Sequence, residues 1–297
     1  MNLIINMFRG FCMALADSVP GVSGGTVAFI LGFYDKFINS LNDLFYGNME
    51  EKKDALKFLF KLGLGWGVGM ILATLILTSL FEKEIYNISS LFLGFIVFSL
   101  PLIIKEEKES IKGNYNNIIF AILGIVIVSL ITYFNPVTGG ESSVNLSKYN
   151  IGMLLYIVVS GMIAISAMVL PGISGSTLLL IFGLYMPIMN AIKETLHFNL
   201  AYFVPLSALA IGIILGIFLV IRIIKKCLAN HRSATMYFII GLMIGSLYAI
   251  VMGPTSLEVP KEALSLSTFS ILFFILGGVI ILGLEKVKNI LEKKKIG

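Results

Sequence analysis

Two seven-residue segments carry the residue types most suited to chemistry in this chain. They read Pro20-Gly21-Val22-Ser23-Gly24-Gly25-Thr26 and Pro171-Gly172-Ile173-Ser174-Gly175-Ser176-Thr177. Pro20, Gly21, Pro171 and Gly172 would break a helix and shape a loop. A helix restarting near Thr26 or Thr177 would open on backbone N–H groups without intrahelical partners, and the macrodipole there favours negative charge. Gly24, Gly25 and Gly175 would let a ligand approach the backbone closely. Ser23, Thr26, Ser174, Ser176 and Thr177 would add hydroxyl donors. Two such loops around one ligand would suit an oxyanion such as phosphate. Each loop alone also reads as ordinary capping and turn chemistry; the matched pair favours a ligand.

Asp17 is the only acid well inside an apolar stretch, where a carboxylate is costly unless paired or protonated. It is a candidate carrier of a proton or a cation, with capping of the loop as the structural alternative. Arg9 and Arg222 stand at the ends of apolar runs, where an arginine snorkels to the interface or attracts a phosphate. His197 and His231 have no second metal ligand at helical or loop spacing, and neither a metal nor a cofactor is expected. A phosphate-binding Walker loop and paired catalytic carboxylates are missing, so the chain does not read as an enzyme.

These residues must be positioned inside a membrane. Of 297 residues, 57% are hydrophobic and 13% charged, and mean hydropathy is +0.95. A soluble domain would need more polar surface, and a disordered chain far less apolar content. Two cysteines, Cys12 and Cys227, do not make a disulfide scaffold. The net charge of +5 lies in short clusters between apolar runs, which reads as topology signalling and not as a nucleic-acid surface. Residues 1–9 lack the small-residue cleavage site of a signal peptide.

The expected fold is therefore an all-α polytopic membrane protein. Spans are expected at 62–81, 91–104, 116–134, 202–224, 234–252 and 268–284, with broken hairpins at 10–38 and 152–190. The arms of the first hairpin reach roughly halfway across the hydrocarbon, which suggests a re-entrant loop. The second hairpin has longer arms and could instead be two tilted spans. If each broken stretch returns to the side it left, 18 Lys and Arg fall on one side and 4 on the other. If each crosses once, the split is 12 to 10. The positive-inside rule prefers the first arrangement and places both termini in the cytoplasm.

The chain also repeats itself. At a shift of 151, ten of 25 positions are identical, among them Pro20, Gly21, Ser23, Gly24, Thr26 and Tyr34 with Pro171, Gly172, Ser174, Gly175, Thr177 and Tyr185. Gly94, Ser99 and Leu100 match Gly241, Ser246 and Leu247 at a shift of 147. Each half, 1–150 and 151–297, is then one broken hairpin and three spans. Three crossings turn the second half upside down, an inverted-topology repeat of the kind found in secondary transporters with sites near the midplane.

The segment from Asp17 to Thr26, followed by Gly32-Phe33-Tyr34, resembles the first signature of the polyprenyl-phosphate transporter family of bacteria and archaea. Pro171 to Thr177, followed by Gly183-Leu184-Tyr185, resembles its second. The resemblance covers the whole chain. It implies a multi-pass protein of the cytoplasmic membrane that returns undecaprenyl phosphate from the outer to the inner leaflet for reuse in cell-envelope synthesis. Moving that negative headgroup inward works against the membrane potential, which points to co-transport of a proton or sodium ion. The undecaprenyl-pyrophosphate phosphatases share a Pro-Gly-x-Ser loop, but there an Arg follows the Ser and a pair of Glu stands nearby. This chain has Gly24 and Gly175 at that position. A carrier of small anions is the other alternative.

Overall fold

A computed structural model describes residues 2–17, 23–72, 78–133, 146, 149–196, 198–256 and 260–296. Pro20, Gly21 and His197 lie outside the described residues, as does the side chain of Thr177. The described chain is helical, without strands: α1 (Asn2–Asp17), α2 (Gly24–Ile30), α3 (Tyr34–Tyr46), α4 (Met49–Leu72), α5 (Thr78–Glu106), α6 (Lys108–Ile111) and α7 (Ile118–Tyr133) form the first half. The second comprises α8 (Ile151–Met168), α9 (Gly175–Ile181), α10 (Tyr185–Leu196), α11 (Phe203–Asn230), α12 (Arg232–Met252) and α13 (Ile271–Ile296).

Among the described residues, six helical segments are long and apolar enough to cross a membrane: 49–72, 84–106, 115–133, 151–168, 200–230 and 232–255. The chain is a multi-pass, all-α membrane protein. α4 starts at Met49, well before the apolar run, because a solvated turn with Glu50 and Glu51 favours a helix N-terminus. α8, the first arm of the second broken stretch, is itself among the six. The apolar part of α13, Ile271–Gly283, is shorter than a full span.

Glycines set how closely these helices approach, and their contacts recur in register. A Cβ on Gly65 or Gly69 of α4 would collide with the backbone of α1 at Met7 and Phe11. The corresponding Gly212 and Gly216 of α11 meet α8 at Val158 and Met162. The remaining long helices exchange partners between the halves. Gly94 of α5 meets Phe274 of α13, and Gly241 of α12 meets Ala121 of α7. Likewise Gly277 of α13 meets Leu91 of α5, and Gly124 of α7 meets Phe238 of α12. Such backbone contact is how apolar helices associate without a hydrophobic force between them. Ser99 and Ser246, buried at matching positions of α5 and α12, donate back to the carbonyls of Ile96 and Met243.

The core follows from this exchange. α12 is the most enclosed of the candidate spans, with 67% of its apolar window buried. Its Met236, Ile239 and Met243 pack with Ile38, Ile85, Ile96 and Ile221 in one cluster drawn from both halves. One end of the bundle carries ion pairs that the repeat does not copy. Lys225 of α11 meets Asp43 of α3 at 2.9 Å. Arg232 holds Asp35 of α3 at 3.1 Å and forks onto Glu107 beyond α5. The positions that would mirror Asp35 and Arg232 are Met186 and Ile85.

The glycine contacts give a paired expectation. Gly65→Val and Gly212→Val should each lower the thermal unfolding midpoint in detergent by several degrees or abolish monodisperse protein, because backbone cannot yield as a side chain can. Gly63→Ala, whose Cβ would meet nothing within 4 Å, should be neutral or slightly stabilising in the same assay.

Candidate functional site

The two broken stretches meet, and they meet through hydrogen bonds. The last carbonyls of a helix have no intrahelical partner. At and just beyond the end of α8 stand the carbonyls of Met168, Val169 and Leu170, and the first hairpin supplies donors to them. The Ser23 hydroxyl lies 3.1 Å from the Met168 carbonyl and 3.3 Å from that of Leu170. The Tyr34 hydroxyl donates to the Val169 carbonyl at 3.2 Å. In return the Gly172 N–H donates to the Thr26 hydroxyl at 2.8 Å. A Cβ on Gly25 would stand 2.9 Å from the Val169 oxygen, so only glycine lets the two backbones lie this close. Gly172 has φ +92 and its missing Cβ would strike Leu242 of α12, so it needs both the left-handed conformation and the space.

The first turn of α2 is fully engaged by its own chain. Ser23 is its N-cap, in extended conformation, and its Oγ accepts the Gly25 N–H at 3.0 Å. The N–H groups of Thr26 and Val27 donate to the Ser23 carbonyl at 2.9 and 3.3 Å. The Gly24 N–H donates to Asp17 Oδ1 at 2.7 Å. The anion at this helix start is thus the protein's own carboxylate. Its other oxygen, Oδ2, accepts the indole N–H of Trp66 from α4 at 3.0 Å.

The second loop is built differently. Ser174 and Ser176 share a hydrogen bond between their hydroxyls at 2.7 Å. Leu178 N–H donates to the Ser174 carbonyl at 3.4 Å. Met168 occupies the place of Asp17, and its side chain packs under Gly175. Ser23, Thr26 and Ser174 are buried, with 0%, 2% and 4% exposure, whereas Asp17 and Ser176 are partly buried.

Of the residues named from sequence, Asp17, Ser23, Gly24, Gly25, Thr26, Pro171, Gly172, Ser174, Gly175 and Ser176 belong to these two short elbows and the helix end beside them. Arg9 does not join them. It lies about 12 Å back along α1 at 1.5 Å per residue, stacked on Phe33 at 4.8 Å and bonded to Asn6 at 3.2 Å. Arg222 lies over Tyr46 at 5.1 Å, at the far end of α3. Among the described residues no group of three or more His, Cys, Asp or Glu could hold a metal. Trp66 was not foreseen. The available signal was its being the one tryptophan in the chain.

Residues 13–288 match the family model described as undecaprenyl phosphate translocase-like. A polyprenyl-phosphate transporter of Staphylococcus aureus is 33% identical over 288 residues, 95% of this chain and 96% of that protein. One of Vibrio cholerae is 30% identical over 257 residues, 83% of this chain and 77% of that protein. No solved structure matches.

Because the elbows cap one another, Thr26→Val should cost more than its size suggests. It strands the buried Gly172 N–H, a loss of about 1–3 kcal/mol, and should lower the unfolding midpoint by a few degrees. Thr26→Ser, which keeps the acceptor, should restore most of it in the same melt.

Proposed function

We propose, from the premise that this chain belongs to the undecaprenyl phosphate translocase-like family, that it carries polyprenyl phosphate from the outer to the inner leaflet of a bacterial or archaeal cytoplasmic membrane. The observation that carries the reading is the direct contact of two unwound elbows, one from each half. Non-helical backbone at membrane depth is tolerated only inside protein or beside a wet cavity, and interrupted helices that meet there are where transporters bind. The two halves act as an inverted repeat with both termini in the cytoplasm.

The substrate needs little help with its tail, which remains in lipid throughout. The phosphate is the obstacle, since a charge leaving water for hydrocarbon is heavily penalised. The headgroup binds between residues 23–26 and 174–177. Donors now spent between the loops, such as the Ser23 hydroxyl and the Gly172 N–H, are those a phosphate takes over as the elbows part. Gly24, Gly25 and Gly175, now covered by Asp17, Val169 and Met168, are uncovered as the elbows part, and the partly buried Ser176 makes the first contact. Arg9 and Arg222 attract the headgroup on the lysine-rich side.

Inward movement of the headgroup works against an inside-negative potential at about 2.3 kcal/mol per charge per 100 mV. A coupled cation offsets that cost, and Asp17 is its carrier. The reading is of a transporter and not a phosphatase. Cleavage needs a group that stabilises the departing charge and an acid or base. At the loop position where the phosphatases carry Arg this chain has glycine, and Asp17 stands without a second acid beside it among the described residues.

Depletion of the protein should raise undecaprenyl phosphate on the outer surface, read as increased binding of an antibiotic that recognises that lipid phosphate. Unchanged surface display would defeat the proposal, and phosphate release from a pyrophosphate lipid by the purified protein would favour the enzyme. In proteoliposomes, imposed pH or sodium gradients should change the transport rate. Indifference to both would remove the coupling, though not the transport.

A further inference from the structure

The one tryptophan of the chain points its indole N–H at the one carboxylate of the broken loops. The repeat shows that the two residues go together. Hairpin positions correspond at a shift of 151 and α4 corresponds to α11 at 147, so the counterpart of Asp17 is Met168 and that of Trp66 is Ile213. One half has an acid and a donor; the other has two apolar residues. The helix contacts beside them are the same in both halves, Gly65 on Met7 and Gly212 on Val158. Packing α4 on α1 therefore does not require an indole at position 66. The indole accompanies the acid.

We infer that Trp66 is a positioning residue for the coupled cation: its N–H holds the charged Asp17 on the first turn of α2, and loading Asp17 with a proton or a sodium ion weakens that hydrogen bond. The inference rests on the cation-coupled reading above. Its argument is the direction of the hydrogen bonds. Both carboxylate oxygens face N–H donors, Trp66 at 3.0 Å and Gly24 at 2.7 Å. A protonated carboxyl keeps acceptor capacity on both oxygens, but it has lost the charge that strengthens both N–H bonds. A sodium ion draws on the same oxygens, since a hard cation binds oxygen. Loading therefore weakens both hydrogen bonds. The Gly24 N–H belongs to a helix turn whose next N–H groups are fixed on Ser23. The indole is the partner that can leave without unwinding a helix.

No other charge takes the role of Trp66. α2 contains no ionisable residue. α1 brings Cys12 and Arg9, the latter stacked on Phe33. α4 brings Lys61 more than one turn away, and Met168 stands at the facing end of α8. Weakening of the Trp66 bond leaves the carboxylate held by the Gly24 N–H alone.

The full-length protein in liposomes tests this with its own fluorophore. Emission from Trp66 should shift in one step on titration with acid or with sodium chloride against a choline chloride control. Asp17→Asn should abolish the step. In transport, Trp66→Phe should reduce the ratio of gradient-stimulated to unstimulated movement about tenfold or more, the scale of one hydrogen bond to a charged group. Emission that is flat in both titrations, or a step that persists in Asp17→Asn, would overturn the inference. So would undiminished gradient stimulation in Trp66→Phe. If the Asp17-dependent step is present but no polyprenyl phosphate moves, the link between Trp66 and Asp17 stands and the substrate reading falls.

Discussion

A helix that stops inside hydrocarbon leaves backbone groups that no water can satisfy, and each one costs several kcal/mol. That constraint governs this molecule. Two buried helix ends meet inside this protein, and each answers the other. The carbonyls that close α8 receive the hydroxyls of Ser23 and Tyr34, and the N–H of Gly172 receives the oxygen of Thr26. Neither elbow could be deleted or displaced without stranding the other. The rest of the bundle holds the two together: α4 clamps α1, α11 clamps α8, and the exchanged helices α5, α7, α12 and α13 form a shared frame through glycine contacts. Position 172 shows how frame and elbow are joined, because its glycine touches α12 directly.

Within that balanced frame the chemistry is one-sided. Asp17 and Trp66 belong to the first half and have apolar counterparts in the second. The ion pairs of Asp35, Asp43, Lys225 and Arg232 tie α3 to α11 and α12 at one end of the bundle, and the mirrored positions 186 and 85 are Met and Ile. The charged groups that set the halves apart come from both of them: Asp17, Asp35 and Asp43 from the first, Lys225 and Arg232 from the second.

Much of this was legible in the sequence, for physical reasons that can be named. Apolar runs long enough for a bilayer and Pro-Gly breaks pointed to the helical membrane class and to the two elbows. The start of α4 at Met49 was not legible from hydropathy, since its first turns are held by helix propensity and by the acids Glu50 and Glu51, not by lipid. Glycine spacing announced close packing on α4 and α11, but not that α5 would choose α13 and α7 would choose α12. Partner choice is a tertiary fact. The free N–H groups expected at the start of α2 are filled by Asp17 and Ser23, a competition between ligand and chain that spacing alone does not decide. Trp66 escaped notice because an indole in an apolar helix reads as packing until an acceptor is placed opposite it.

The strength of the elbow contact suits a device that must open. An intramolecular hydrogen bond contributes only about 0.5–1.5 kcal/mol net when the alternative is another partner, yet costs about 1–3 kcal/mol when a buried group is left with none. The elbows are therefore stable against separation into hydrocarbon and labile toward anything that brings oxygen acceptors of its own. In the transport proposed above, a phosphate is such a partner for the Ser23 hydroxyl. Exchange of equivalents, not rupture, is what allows a buried polar contact of this kind to open.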